Sequence, residues 1–375
     1  MMLEKEKTTA PVSSVGADAG QPLIKNHNTS ITETSTESKL HSFQPVQDPG
    51  ALKTVSMTEL YDTIYKSAAP VDNLLYTGTY LFVGAPKVGK SFFMAQLAYH
   101  VSMGLPLWGY PVHQGDVLYL ALEDDYSRLQ KRLARMFGTE ENDNLHFAIE
   151  SKQLNNGLEE QIEAYIRQRP NLRLIIFDTL QKIRELGGDK FSYASDYEIV
   201  TVLKKISDRH RLCLLVVHHT RKQGAEDCFD TISGTNGLLG AADGAFVLQK
   251  EKRTDNNAVL DVAGRDQQDQ RIHLQFDRDQ CIWQFIKTET ELWKEPPDPI
   301  LEAISLLVTV GAPEWVGTAS ELSVLLAGID TPPNALTRRL NVGADRLLNE
   351  YGVAYENSRC HAGRQVRLTL AGDKA

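Results

Sequence analysis

Between Tyr80 and about Ile286, short and nearly all-apolar runs alternate with longer amphipathic stretches. The runs Tyr80–Val83, Val117–Leu122, Leu172–Phe177 and Leu212–Val217 have no polar face, as expected of strands buried on both sides. The stretches around Phe92–Val101, Tyr126–Phe137, Leu158–Arg169 and Tyr197–Arg209 read as helices. Strand and helix in alternation predict a parallel α/β sheet. After Ala245–Leu248 the period shortens to two. It runs through Val259, Asp261 and Ala263, crosses a DQQDQ turn at 266–270, and continues through Ile272, Leu274, Phe276 and Cys281–Ile286. This alternation predicts antiparallel hairpins appended to the sheet edge.

The flanks follow other rules. Residues 1–50 are rich in Ser, Thr, Gln and Asn without sustained periodicity, which predicts a disordered arm. A short helical pattern through Leu60, Ile64 and Tyr65 stops at Pro70 and Asp72, and a turn at Thr77–Gly78 leads into the first strand. The Pro-rich stretch 295–299 marks a boundary. Beyond it the sequence predicts a helix from about Pro299 to Val310, a second with Thr318 and Glu321 in capping-box register, and a third after Pro332-Pro333-Asn334. Two alternating strands, Val353–Glu356 and Gln365–Leu370, follow around a turn at His361–Gly363. Three helices and a hairpin suggest a winged-helix domain. The expected organisation is thus an arm over 1–50, an α/β core over 51–295 and a winged-helix domain over 296–375.

Composition narrows the compartment more than the partner. The 375 residues are 42% hydrophobic and 24% charged, with a net charge of -9, close to an ordinary globular protein. No apolar run approaches the roughly 18 residues needed to cross a bilayer, and the first residues are polar without a signal-peptide core. A membrane or secreted protein is not expected. Cys213, Cys228, Cys281 and Cys360 stand apart, suiting neither zinc nor a disulfide framework, so a reducing cytoplasm is the natural setting. The acidity argues against a chain coated in basic charge, while nucleic acid needs only a local basic groove.

The strongest chemical signal is Gly84-Ala85-Pro86-Lys87-Val88-Gly89-Lys90-Ser91, placed between a predicted strand and a predicted helix. It matches the P-loop pattern in the context the motif requires. Its glycines let backbone N–H groups curl around nucleotide phosphates, and the helix N-terminus adds partial positive charge. Lys90 is expected at the β- and γ-phosphates and Ser91 on Mg²⁺. Asp178, closing the apolar run Leu174–Phe177, is the carboxylate expected in the metal shell. At the end of another predicted strand come Glu123, Asp124 and Asp125. Glu123 is the favoured group to orient water, although any of the three can instead cap the next helix. His218 and His219 end the strand Leu212–Val217. A polar residue there can sense the γ-phosphate, and the rival reading of the pair as a metal site suffers because strand neighbours point to opposite faces.

The ordered set GAPKVGKS at 84–91, LALEDD at 120–125, LIIFDTL at 174–180, VVHHTRK at 216–222, SGTNGLLGAADGAFVL at 233–248 and VAGRD at 262–266 resembles RecA-like ATPases. Within them it is similar to the RepA-like hexameric helicase ATPases of plasmids and integrative elements. The resemblance covers about Leu75 to Phe285. It implies a RecA-like P-loop core using ATP and Mg²⁺, with Glu123 as catalytic glutamate, Asp178 as metal-side aspartate and His219 as phosphate sensor. It also implies that Arg265 reaches into a neighbouring subunit's site, with Arg271 as a possible substitute, and that Arg132 packs on the adenine unless it is a plain surface arginine. Supplying an arginine in trans makes hydrolysis depend on a ring.

Two segments after the catalytic strands, Gln181–Tyr197 and Thr220–Asn236, are candidates to face single-stranded DNA in such a ring. The first offers Lys182, Arg184 and Lys190, the second Arg221 and Lys222. In the tail Arg338, Arg339, Arg346, Arg359, Arg364 and Arg367 fall where a winged helix meets a groove, though such modules also bind protein. The reading that results is a ring-forming, ATP-driven motor on single-stranded DNA, serving replication of a plasmid or mobile element. Its rivals are a recombination or repair mediator of the RadA/KaiC-like kind, and a winged-helix initiator whose ATPase is a slow assembly switch.

Overall fold

The predicted apolar runs become the middle of one large sheet. The computed structural model describes residues 52, 54–65, 69–184, 193–221, 227–234, 236–252, 254–293, 295–326, 328, 331–360 and 363–371. The expected arm over 1–50, Lys190 and Lys222 lie outside them.

The helices before the tail are α1 (Met57–Tyr61), α2 (Lys90–Met103), α3 (Tyr126–Phe137), α4 (Leu158–Gln168), α5 (Leu180–Ile183), α6 (Tyr193–His210) and α7 (Asn236–Ala241). The strands are β1 (Gly78–Gly84), β2 (Asp116–Ala121), β3 (Leu145–Ala148), β4 (Leu172–Asp178), β5 (Cys213–His219), β6 (Gly244–Gln249), β7 (Asn257–Gly264), β8 (Gln270–Asp277) and β9 (Ile282–Thr288). They form a nine-stranded sheet in the order β3-β2-β4-β5-β1-β6-β7-β8-β9. Neighbours from β3 to β6 run parallel, and β7, β8 and β9 add as antiparallel hairpins. The expected fold class, a mainly parallel α/β sheet with edge hairpins, is therefore what the chain adopts.

The continuous apolar runs are explained by alternation between two cores. Tyr80 and Phe82 of β1, with Leu174 and Ile176 of β4, face one hydrophobic cluster beside Phe93, Met94 and Leu97 of α2. Leu81, Val83, Ile175 and Phe177 face the opposite cluster, with Val200 and Leu203 of α6. Each strand has two buried faces and therefore no polar period.

The hairpins brace the loop that follows β1. Trp283 of β9 is fully buried. Gln96 of α2 holds its backbone from both sides, donating to the Trp283 carbonyl at 3.0 Å and accepting its N–H at 2.8 Å. The indole Nε1–H donates to the Gly89 carbonyl at 3.2 Å. Gly89 has φ +109°, and a Cβ there would stand 2.8 Å from the Trp283 ring, so both backbone conformation and space require glycine.

The tail differs from three helices and a hairpin. It contains α8 (Pro299–Ser305), β10 (Glu314–Thr318), α9 (Ala319–Leu325), α10 (Pro333–Val342), α11 (Ala344–Tyr351), β11 (Val353–Cys360) and β12 (Gly363–Leu370). The strands pair antiparallel in the order β10-β12-β11. The helix expected to reach Val310 stops at Ser305, while the capping box of Thr318 and Glu321 opens α9 as expected. Gly343 separates α10 from the unforeseen α11. Ile300, Ile304, Leu322, Leu340, Leu347 and Leu368 share the tail's own hydrophobic core.

The segment expected to open the α/β core touches both parts: Ile64 joins the tail's core and Asn341 donates to the Tyr61 carbonyl at 2.8 Å, while the Arg211 guanidinium lies over the Tyr65 ring at 5.7 Å.

Candidate nucleotide site

Parallel register aligns the C-terminal ends of four strands. Gly84 pairs with His219, Val217 with Asp178, and Asp178 with Ala121, so β1, β5, β4 and β2 end in a row. The P-loop residues Gly84 to Ser91 connect β1 to α2 there. Lys87 has φ +65° and Gly89 φ +109°, which curls the backbone at the helix N-terminus. A Cβ on Gly84 would lie 2.7 Å from the Leu248 carbonyl, so the neighbouring strand β6 also needs glycine at this turn. Ala85, Pro86 and Lys87 are exposed, while Val88 is buried.

Lys90 is buried, with its ammonium pointing back over the loop. It donates to the carbonyls of Gly84 at 2.7 Å and Ala85 at 3.0 Å and lies 3.2 Å from His219 Nδ1. An ammonium can only donate, so Nδ1 accepts and the neutral imidazole carries its proton on Nε2. Burial, followed by Lys90 itself, lowers the His219 pKa and favours this neutral form. His218 turns the other way and donates from Nε2 to the Ser233 carbonyl at 2.8 Å. Its pKa falls to about 4 through burial, and the two imidazoles bond different partners, His219 meeting Lys90 and His218 the Ser233 carbonyl.

Asp178 is almost fully buried at the end of β4, and its Oδ2 accepts Ser91 Oγ–H at 2.7 Å and Tyr119 Oη–H at 2.8 Å. Burial raises its pKa, and the two hydrogen bonds oppose that rise. Two hard oxygen donors lie side by side where the phosphate loop enters its helix. Ser91 and Asp178 therefore fit the inner and outer environment of a Mg²⁺ ion carried with a nucleotide. Tyr119 was not anticipated. It lies within an apolar strand run, where only the pairing of β2 with β4 reveals its aim.

The three consecutive acids have different partners. Asp125 is the N-cap of α3 and accepts Arg128 N–H at 2.9 Å. Asp124 pairs with Arg128 at 3.1 Å and with Arg132 at 2.7 Å. Of the three, Glu123 turns toward the row of strand ends, accepting Thr179 Oγ1–H at 3.2 Å. Arg132 also lies over the Phe92 ring at 5.3 Å, directly after Ser91.

Arg265 takes a different position. It follows β7, and Gly264 pairs with Gly244, beside the start of β1. Gly84 closes β1 at the end opposite Gly78, which separates Arg265 from its own P-loop by about 20 Å. Its side chain is 57% exposed, 3.8 Å from Asp243. Arg271, the possible substitute, is held by Asp261 at 2.7 Å.

The cations considered for DNA divide sharply. Lys182 on α5 is exposed, and so is Arg221, whose Nε donates to the Ile232 carbonyl at 3.3 Å. Arg184 does not fit the expectation: it is buried and ion-paired with the fully buried Asp196, tying α5 to α6. Breaking a buried pair typically costs about 3–5 kcal/mol, which makes this a structural contact. In the tail, Arg338 pairs with Asp62 at 3.1 Å, Arg339 with Asp298 at 3.2 Å, Arg346 with Glu295 at 2.9 Å and Arg367 with Glu314 at 2.6 Å. The side chains of Arg359 and Arg364 lie outside the described residues.

The Lys90 geometry has a measurable consequence. Burial lowers its pKa from 10.5 to about 8, against the opposing pull of Asp178 and Glu123. A phosphate beside the ammonium favours the charged form and raises that pKa again. Nucleotide affinity is therefore expected to be highest below pH 8 and to fall as pH rises through it, by at most about tenfold per pH unit. Calorimetry at pH 9 in two buffers of different ionisation enthalpy should detect proton uptake on binding; none at that pH contradicts the assignment.

Residues 48–225 match the model of a family described as an AAA domain. No curated protein matches the chain in sequence. Among solved structures it is similar to the isolated ATPase domain of another protein, with 17% identity over 56% of this chain and 85% of that one and a TM-score of 0.47. It is also similar to a DnaB-like replicative helicase, at 16% identity over 56% of this chain and 58% of that one, with a TM-score of 0.47. A KaiC-like protein from Pyrococcus horikoshii OT3 shows 13% identity over 59% and 98% of the two chains, with a TM-score of 0.42.

Proposed function

We propose that this chain, a RecA-like P-loop ATPase, works as a ring-forming motor on single-stranded DNA, hexameric and cytoplasmic, in the replication of a plasmid or mobile element. The observation that carries this reading is the split between Glu123, Lys90, Asp178 and His219, gathered at the C-terminal ends of the parallel strands, and Arg265, exposed at their opposite ends. If an arginine about 20 Å from its own phosphate loop acts on a nucleotide, that nucleotide belongs to another subunit.

In the proposed cycle the P-loop amides and Lys90 hold the phosphates of ATP, and Arg132 with Phe92 lies beside the base. Mg²⁺, held through Ser91 and Asp178, supplies charge neutralisation on the phosphates. Glu123 orients a water and takes its proton, while Arg265 of the adjoining subunit stabilises charge on the transferring phosphoryl group. His219, touching Lys90, senses loss of that group. Lys182 and Arg221 are the described cations proposed to meet DNA phosphates. Domain limits of 51–295 for the ATPase and 296–375 for a winged helix complete the proposal. Among the described residues no helix is long and apolar enough to cross a membrane.

The test is ATP turnover with and without single-stranded DNA, paired with solution mass in ATP. The proposal expects stimulated turnover and an assembly about six times the 41.9 kDa of one chain. A monomer whose turnover ignores DNA overturns it. An assembly whose turnover ignores DNA favours the assembly switch.

A further inference from the structure

The end of the sheet opposite the phosphate loop, where β1 begins, carries a polar cluster centred on Asp243, between α7 and β6. Asp243 is 7% exposed. Its Oδ2 accepts the Thr79 N–H at 2.9 Å. Its Oδ1 accepts Lys204 Nζ at 2.5 Å and lies 3.8 Å from Arg265 Nη1. The main chain is fixed as well: Asp243 N–H donates to the Thr79 carbonyl at 2.8 Å, and Arg265 N–H donates to the Asp243 carbonyl at 2.8 Å. Gly78, at φ +132°, makes room, because a Cβ there would stand 2.7 Å from Oδ2.

We propose that Asp243 is the positioning residue for Arg265 and that Lys204 holds its carboxylate in place for that role. This inference rests on the proposed action of Arg265 in trans. A buried carboxylate needs compensating donors, and Thr79 with Lys204 supplies them without Arg265. The third contact is of another kind. At 3.8 Å it exceeds hydrogen-bond length, and the Arg265 Nη2 contact to the Gly240 carbonyl at the end of α7 is also long, at 3.5 Å. The arginine's Cα is thus pinned to the sheet through the Asp243 carbonyl, while its guanidinium is guided by charge and keeps its donors available for an acceptor outside the chain. That combination of fixed base and loosely held tip suits a group acting on a neighbour. It contrasts with Arg271, whose Nε is bound to Asp261 at 2.7 Å.

Mixed rings of the full chain test this. Lys90→Ala subunits have no working site but an intact arginine; Arg265→Ala subunits have an intact site but no arginine. Mixing them is expected to recover ATP turnover at the mixed interfaces. Repeating the mixture with Lys90→Ala/Asp243→Asn subunits is expected to recover about tenfold less, the size of a modest misplacement of a catalytic group. Asp243→Asn alone should bind a fluorescent ADP analogue as the parent does, since its own P-loop lies at the opposite end of β1. Equal recovery in both mixtures overturns the inference and leaves the Arg265 reading standing; no recovery in the first mixture overturns the Arg265 reading itself. If Asp243→Asn fails to fold, Lys90→Ala/Lys204→Met loosens the same carboxylate from a partly exposed position. A loss of about threefold in the same trans assay is then expected, still within the scale of misplacement effects, and unchanged recovery overturns the inference.

Discussion

Replacing Arg265 with Ala is expected to lower ATP turnover by about 10³–10⁵-fold, the range found when an arginine finger is removed from phosphoryl-transfer sites. The same variant should retain its nucleotide affinity and fold. Its side chain is 57% exposed, and its nearest carboxylate oxygen, at 3.8 Å, belongs to Asp243. Exposed pairs of that kind contribute about 0–1 kcal/mol. The comparison variant is Arg271→Ala, on the next strand. Arg271 binds Asp261, a carboxylate buried in the hairpin, so its loss should lower the unfolding midpoint more than it lowers turnover. Steady-state rates and melting curves of the two variants decide the matter. Full turnover in Arg265→Ala, with collapse in Arg271→Ala, moves the trans role to Arg271.

How much of this could be read from the sequence follows from the physics of each signal. β1, β4 and β5 were legible because burial on both faces leaves an unbroken apolar run, and the P-loop was legible because strand, glycines, lysine and helix are contiguous. β3 was not: its four residues are half-buried and include a polar histidine. In the tail, Gly343 divides what reads as one helix from α11, and β10 is a short strand ending at the Thr318 cap. The site partners were harder because register creates them. Asp243 reaches Thr79 across 164 residues and Lys204 across 39, and no local pattern encodes either. Arg184 shows the opposite error, since a cation in a polar stretch reads as exposed until Asp196, 12 residues on, folds back upon it. Sequence spacing placed the charges near the right elements. Only packing separated the groups left free to act from those already paired.

The acids after β2 show this separation most clearly and give the second large expectation. Glu123→Gln is expected to lower turnover by about 10²–10⁴-fold, the contribution of a positioned general base, while ATP still binds. The amide keeps the shape and can still accept the Thr179 hydroxyl, now 3.2 Å from Oε1, so the loss reports on charge and proton acceptance rather than on packing. Asp125→Asn should change turnover by no more than about threefold, because asparagine caps a helix about as well as aspartate. Asp124→Asn should loosen Arg128 and Arg132 and act mainly on affinity. A second reading comes from Lys90. Glu123 is one of two carboxylates that hold the Lys90 pKa up against burial, so removing its charge should move the fall of nucleotide affinity to lower pH. Single-turnover rates and affinity against pH, measured on the three variants, test both effects together. If Asp124→Asn lost turnover while Glu123→Gln kept it, Asp124 would be the base and Glu123 a bystander.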